Sequence, residues 1–292
     1  MKRTMRFTAS GTLVLCDLDG TLLNAVPEFA VADQQVLRPY IDAGLAFVVA
    51  TARGPGIVKS LLNGFEPALP IVSYGGAVVF DPVRDSILKT TCIDAGHLEA
   101  LYQALRACRV HPMVFQLRDG RDFLFIHEAS ATVGLRSHID DLRGRGDSRI
   151  AHGLGFDITY QTYSRDIISL SAFGTRNHMC RLAEAAHRAT LGECQAIVLP
   201  HEYSSDWFVM IYHRDATKSH ACRWVVDQAG LSGRRIIAFG DSDNDRELFS
   251  MANHKVAVAN AGGSLKGLAD EVCGANVESG VVRWIRDNVA LT

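Results

Sequence analysis

The sequence lacks any apolar run near the ~20 residues that a membrane-spanning helix needs. Its opening, Met1-Lys2-Arg3-Thr4-Met5-Arg6, is basic, but the apolar run that follows is too short for a secretory signal core and Asp17 interrupts it. A charge excess is missing as well. Thirty Lys and Arg stand against 32 Asp and Glu, and the net charge of −2 argues against a nucleic-acid polyanion as main partner. The seven cysteines are odd in number and include no Cys-x-x-Cys, so neither a disulfide framework nor a structural zinc site is indicated. Reduced thiols in a cytoplasmic protein are the simplest account. The eleven histidines form no close pair at ligand spacing and read as structural or surface residues. Internal repeats and low-complexity segments are also missing. A monomer or small homo-oligomer is expected, with no membrane partner.

What is present is a hydrophobic content of 48% over 292 residues, enough for a sizeable core in one or two domains. Thr12-Leu13-Val14-Leu15-Cys16 reads as a short buried strand. Asp17 and Asp19 follow it, then Gly20. Side chains alternate along a strand with period 2, so near a strand end these two acids can face one space. Two unit charges ~4 Å apart repel by roughly 4 kcal/mol at an effective dielectric near 20. A fold accepts that when a cation, hydrogen-bond donors or a shifted pKa answers it. A hard divalent ion such as Mg²⁺, which takes oxygen ligands, would do so. A surface turn with two solvated acids is the plain alternative.

The rest of the chain reads as two interleaved patterns. A helical spacing over Val31–Ala43 includes Pro39, which should kink or shorten the helix. Leu45–Ala50 is a second apolar run ending in Thr51-Ala52-Arg53-Gly54, and Pro55 suits the first turn of a helix through Leu62. Leu69–Val72 is a third strand, and Ala77–Phe80 a short run after Tyr74-Gly75-Gly76. From Asp81 the rhythm changes. Strands at 86–91, 113–117, 123–127, 167–173, 196–199 and 207–212 alternate with helices at 98–107, through 142, and at 176–189. Helices on one side of short sheets suggest an α+β insertion over 83–210. Residues 144–166 carry no clear element. The parallel pattern then returns, with a helix from Lys218 to Gly230, a strand Arg235–Phe239, and Gly240-Asp241-Ser242-Asp243-Asn244-Asp245. The expected architecture is α/β: a parallel-sheet, Rossmann-like core from 1–82 and 211–292, with the inserted module between.

Three strands thus release polar residues at their C-terminal ends: Asp17 and Asp19, Thr51 and Arg53, and Asp241 through Asp245. Ligands of open α/β sheets bind outside those ends. Taken singly, each group has an ordinary reading. Thr51 suits a turn, Lys218 a solvated helix start, and the Asp241–Asp245 stretch a turn with an N-cap. Together they resemble the haloacid dehalogenase-like (HAD) superfamily of phosphohydrolases. Asp17-Leu18-Asp19-Gly20-Thr21 is similar to its first motif, Thr51 to its second, Lys218 to its third, and Gly240–Asp245 to its fourth. The large insertion and the tail Ala257-Val258-Ala259-Asn260-Ala261 resemble the Cof-type subgroup, whose insertion is a cap domain. The chain departs from that subgroup at Ala52, Tyr74 and Ser219, where Gly, Asn and Gly are usual.

The resemblance implies that Asp17 is the nucleophile, forming an aspartyl-phosphate, and that Asp19 is the general acid and base. It implies Mg²⁺ held by the Asp17 carboxylate, the Asp19 main-chain carbonyl and Asp241, with Asp245 behind them orienting metal waters or Lys218. Thr51, Lys218, Asn244, the Leu18 backbone N–H and Arg53 would face the phosphoryl oxygens; Arg53 could instead pair with an acid. The implied substrate is a small phosphomonoester, such as a sugar phosphate or cofactor phosphate. A phosphomutase or phosphotransferase would share the intermediate, and a non-catalytic phosphate-binding regulator would share the scaffold. A dehalogenase fits less well, because a halide leaves without the proton that Asp19 would supply. A P-type pump is excluded by the missing spans.

Overall fold

A computed structural model describes residues 6–24, 28–118, 121–126, 132–144, 150–152, 165–201 and 204–291. The chain divides into two compact units, Met1–Lys89 with Thr217–Thr292, and Thr90–Ala216. Among the described residues no helix is long and apolar enough to cross a membrane. All seven cysteines are free.

The first unit is built on a five-stranded parallel sheet. In spatial order its strands are Glu271–Val272, His254–Ala257, Arg235–Gly240, Thr12–Cys16 and Ala46–Val49. All five residues of Thr12–Cys16 are buried, as are all four of Ala46–Val49. A strand covered on both faces reads as a continuous apolar run, which is why these segments stood out without alternation. Phe239, Leu13 and Leu15 are fully buried at the centre. Trp284, on the closing helix Gly280–Asn288, meets the Phe239 ring edge-to-face at 5.3 Å. Phe7–Thr8 pairs in parallel with Val289–Ala290 and ties the two ends of this unit together, a contact too short to read from the sequence.

The third strand, Ile71–Ser73, does not extend the parallel sheet as a full member. It touches it through one parallel bridge, Ala50 to Val72, and otherwise joins Val78–Asp81 and Ser86–Thr90 in a three-stranded sheet. Of this strand, residues 86–89 fall in the first unit and Thr90 opens the second. The helix Val31–Asp42 runs through Pro39 to its expected end. Leu37, Tyr40 and Ile41 are buried along it, and that packing outweighs the hydrogen bond the proline forfeits.

The second unit holds one six-stranded sheet, in the order Cys194–Pro200, Trp207–His213, Ile167–Gly174, Met113–Arg118, Arg121–Ile126, Ile150–His152. Helices cover both faces, not one. Val114 and Phe125 pack with Leu101 of the helix Ala95–Ala107 and Leu182 of the helix Arg176–Ala189. Their strand neighbours Met113, Leu124 and Ile126 pack with Leu135 and Ile139 of the helix Val133–Gly144. The period-2 alternation of each strand splits the two clusters. The turn at Asp119-Gly120 and most of 144–166 lie outside the described residues.

One turn in the first unit fixes the helix that carries Lys218. Gly76 has φ +111°, and a Cβ built on it would lie 2.0 Å from the Thr217 carbonyl oxygen. Only glycine lets this backbone meet the start of the helix Lys218–Gln228 so closely. Gly75, next to it, also has positive φ, +64°, but faces open space. Gly76→Ala should lower stability in urea by about 1–3 kcal/mol through overpacking, beyond any backbone strain. Gly75→Ala, which meets nothing, should lose only the left-handed cost of roughly 1–2 kcal/mol. Equal midpoints for the two variants would contradict the close approach.

Candidate active site

Strand register brings the site together. Cys16 lies level with Val49 on one side and Phe239 on the other. The chain then leaves the sheet at one level in three places: at Asp17, at Ala50-Thr51 and at Gly240-Asp241. The Asp17 N–H still donates to the Phe239 carbonyl at 3.1 Å, which fixes where its side chain starts. Residues separated by more than two hundred positions meet for that reason.

Lys218 is the first residue of its helix, and Thr217 caps that helix by accepting from the His220 N–H. The Lys218 side chain is buried. Its Nζ donates to Asp17 Oδ1 at 2.6 Å and to Asp245 Oδ1 at 2.7 Å. The other Asp245 oxygen accepts the backbone N–H groups of Asp241 at 3.0 Å and Ser242 at 3.2 Å. Asp245 is fully buried, and a Cβ on Gly240 would strike it at 2.5 Å, so the glycine is what admits it. Asp245 thus orients Lys218 and shapes the loop bearing Asp241.

Carboxylate oxygens of Asp17, Asp241 and Asp245 all lie within 4.8 Å of one another. Burial, partly opposed by Lys218, raises the Asp17 pKa to about 7. Burial first and Asp245 second also raise Asp241. For Lys218, burial works to lower the pKa, but the Asp17 and Asp245 carboxylates outweigh it and hold the ammonium charged. Ionised together, the three acids would outnumber the one ammonium by two charges. A divalent cation with oxygen ligands matches both that deficit and the donor chemistry. Asp17 and Asp241 are the acids with oxygens to offer, since those of Asp245 are taken.

The turn after Asp17 runs over Leu18–Leu22 and is closed by the Leu23 N–H donating to the Leu18 carbonyl at 2.9 Å. Gly20 has φ +73°, and a Cβ there would lie 2.5 Å from Asp241 Oδ2. The side chain of Asp19 points to Arg53, which grips both its oxygens: Nε to Oδ2 at 3.1 Å and a terminal nitrogen to Oδ1 at 2.9 Å. Of the two readings of Arg53, pairing with an acid is the one this conformation adopts. Thr51 is fully buried and its hydroxyl accepts the Arg53 N–H at 3.1 Å. Asn244 is exposed, with Oδ1 accepting from the Ser242 hydroxyl at 2.7 Å. Asp243 pairs with Arg246 and stands apart from the buried cluster. Cys16 donates from Sγ to the Asp17 carbonyl, and burial above all pushes its thiol pKa well up, so it packs and does not ionise.

Two residues carry no signal of their own in the sequence: Gly76 stands in the stretch Tyr74-Gly75-Gly76, and Asn260 within the tail that resembles the Cof type.

Removing the ammonium tests the cluster. Lys218→Met should destabilise the protein by about 3–5 kcal/mol, because it leaves buried carboxylates uncompensated. Without Lys218, which lowers it, the Asp17 carboxyl should titrate higher still in the folded state. A carboxyl with a raised folded pKa stabilises below its unfolded pKa, and that stability is lost as pH rises through the folded value. The deficit against wild type in urea melts should therefore shrink from about pH 8 to about pH 5. A pH-independent deficit would contradict the arrangement.

Comparison with known proteins agrees with this geometry. A family model described as haloacid dehalogenase-like hydrolase matches residues 14–285. A protein of Haemophilus influenzae, named only provisionally as a phosphatase, is 35% identical over 280 residues, covering 92% of this chain and 94% of the relative. The 5-amino-6-(5-phospho-D-ribitylamino)uracil phosphatase of Bacillus subtilis is 25% identical over 282 residues, covering 96% and 98%. Among solved structures, a haloacid dehalogenase-like hydrolase from Bacteroides thetaiotaomicron superposes with a TM-score of 0.72 at 18% identity, covering 96% of this chain and 99% of that one. The chain belongs to the haloacid dehalogenase-like hydrolases, of the Cof type, and is an enzyme of that family.

Proposed function

We infer that the chain is a Mg²⁺-dependent phosphatase that hydrolyses a small phosphomonoester through an aspartyl-phosphate on Asp17. The observation that carries this reading is the Lys218 ammonium shared between Asp17 and Asp245, with Asp241 close enough to complete a cation site. Mg²⁺ would be held by the Asp17 carboxylate, the Asp19 main-chain carbonyl and Asp241. When bound it supplies positive charge beside the phosphoryl oxygens.

The chain's own groups account for the two half-reactions. The free oxygen of the Asp17 carboxylate attacks phosphorus, the ester P–O bond breaks, and the leaving oxygen takes a proton from Asp19. Asp19, now a carboxylate, removes a proton from water, which attacks the same phosphorus. The acyl phosphate P–O bond breaks, releasing phosphate and restoring Asp17 and the protonated Asp19. Arg53 holds both Asp19 oxygens, at 2.9 and 3.1 Å. A phosphoryl dianion would give Arg53 a second acceptor and so loosen its hold on Asp19. Lys218, the Thr51 hydroxyl, Asn244 and the Leu18 N–H complete the donors for the phosphoryl oxygens.

We assign the inserted unit, Thr90–Ala216, as the cap domain. A sugar or cofactor phosphate is the substrate class. Two Bacillus subtilis relatives named as phosphatases of a phosphorylated ribitylaminouracil support an alkyl phosphate on a polyol. Seven unpaired thiols support a cytoplasmic location.

Phosphate release from para-nitrophenyl phosphate should require Mg²⁺ and stop with a chelator. Asp17→Asn should abolish turnover, and Asp19→Asn should lower kcat by roughly 10²–10⁴-fold on an alkyl phosphate. Wild-type turnover by Asp17→Asn, or full activity in chelator, would end this reading.

A further inference from the structure

The segment Asn260–Gly262 touches both acid-bearing loops at once. Asn260 Nδ2 donates to the Gly20 carbonyl at 2.7 Å. Two residues later, the Gly262 N–H donates to the Asp241 carbonyl at 2.8 Å. Asn276 completes the arrangement. Its backbone N–H donates to Asn260 Oδ1 at 3.0 Å, and its side chain donates to the Leu23 carbonyl at 2.8 Å. An amide N–H can only donate, so Asn260 must turn its oxygen to Asn276 and its nitrogen to Gly20. The orientation of the Asn260 amide is thereby fixed by chemistry at both ends. Lys266 holds the same segment from behind, its ammonium bonded to the Ala259 carbonyl at 2.6 Å.

The carbonyl that Asn260 grips opens the Gly20–Thr21 peptide, one residue beyond Asp19. Gly20 sits at φ +73°, against Asp241, in a turn whose own closure is one backbone hydrogen bond. A glycine in such a turn has wide conformational freedom unless something outside the turn restrains it. Arg53 holds the Asp19 side chain but cannot set its main chain. Asn260 restrains the backbone at the next residue, Gly20, and the Gly262 N–H ties the restraint to Asp241.

We propose that Asn260, oriented by Asn276, is a positioning residue: it fixes the backbone beneath Asp19 relative to Asp241, and so aims the Asp19 carboxyl at the leaving oxygen. This rests on the phosphatase reading given above. Misaimed acid chemistry has a signature. A leaving group that departs readily as an anion needs little protonation, and a poor one needs it fully. Loss of Asn260 should therefore harm phenyl phosphate far more than para-nitrophenyl phosphate. Asn260→Asp keeps the size and the acceptor for Asn276 but replaces the donor facing Gly20 with an oxygen, so it should behave like Asn260→Ala. Asn276→Ala keeps its backbone N–H, and with it the Asn260 orientation, and should be milder.

The test has two arms on the full chain. Hydrogen–deuterium exchange, without substrate, should show the 20–24 amides exchanging about tenfold faster in Asn260→Ala and Asn260→Asp, with Thr12–Cys16 unchanged. Steady-state kinetics with Mg²⁺ should show kcat for phenyl phosphate falling about tenfold further than kcat for para-nitrophenyl phosphate. Unchanged exchange, exchange that also rises in Thr12–Cys16, or an equal loss on both esters would overturn the proposal. If the wild type released phosphate from neither ester, the phosphatase reading would fail, and the exchange arm alone would still decide whether Asn260 restrains the turn.

Discussion

A single ammonium group, shared between two buried carboxylates, is the constraint around which the first unit is arranged. Lys218 Nζ lies 2.6 Å from Asp17 and 2.7 Å from Asp245, and all three side chains are cut off from water. Taking such charges out of water is expensive, and their mutual attraction offsets that cost only when geometry and remaining hydrogen bonds are good. The surroundings answer each requirement. Two backbone N–H groups fill the second oxygen of Asp245, Gly240 makes room for its side chain, and Gly76 lets the Lys218 helix start where it must. These features favour a fixed place for charge over stability for its own sake.

Around that centre the acids are treated differently, and their differences suit different tasks. Asp17 is buried beside a cation and in a region short of positive charge, a setting for a carboxylate that attacks an electrophile when further cation arrives. Asp19 stands more open to solvent, in a two-point grip with Arg53 that a phosphoryl group could relax. Asp241 is half-buried and faces the Gly20 turn. Asp245 is fully committed to its neighbours. One loop motif with alternating acids therefore holds two acids in different settings, and their hydrogen-bond partners set the difference.

Much of this was legible in the sequence, for physical reasons. Strands buried on both faces are continuous apolar runs, so Thr12–Cys16, Ala46–Val49 and Arg235–Gly240 stood out, and so did the polar residues that end them. The order of Asp17, Thr51, Lys218 and Asp241 along the chain carried the family resemblance. Other features depend on contacts that no local pattern encodes. Arg53 could reach an anion or an acid, and only the fold selects Asp19. Ser86–Thr90 alternates like any half-buried strand, so its partner sheet had to be seen. Gly76 is required by a helix whose cap, Thr217, lies 141 residues later. Asn260 is exposed and polar, the profile of a solvated side chain, although both ends of its amide are engaged.

The central claim is that the Asp17 carboxylate is the group that takes the phosphoryl from substrate. Borohydride reduction of the enzyme during turnover, followed by mass spectrometry of the peptide containing Asp17, tests it most directly. An acyl phosphate is reduced where a free carboxylate is not, so the account predicts conversion of Asp17 to homoserine, dependent on both substrate and Mg²⁺. Phosphate release with Asp17 unmodified, or reduction at another carboxylate, would contradict it.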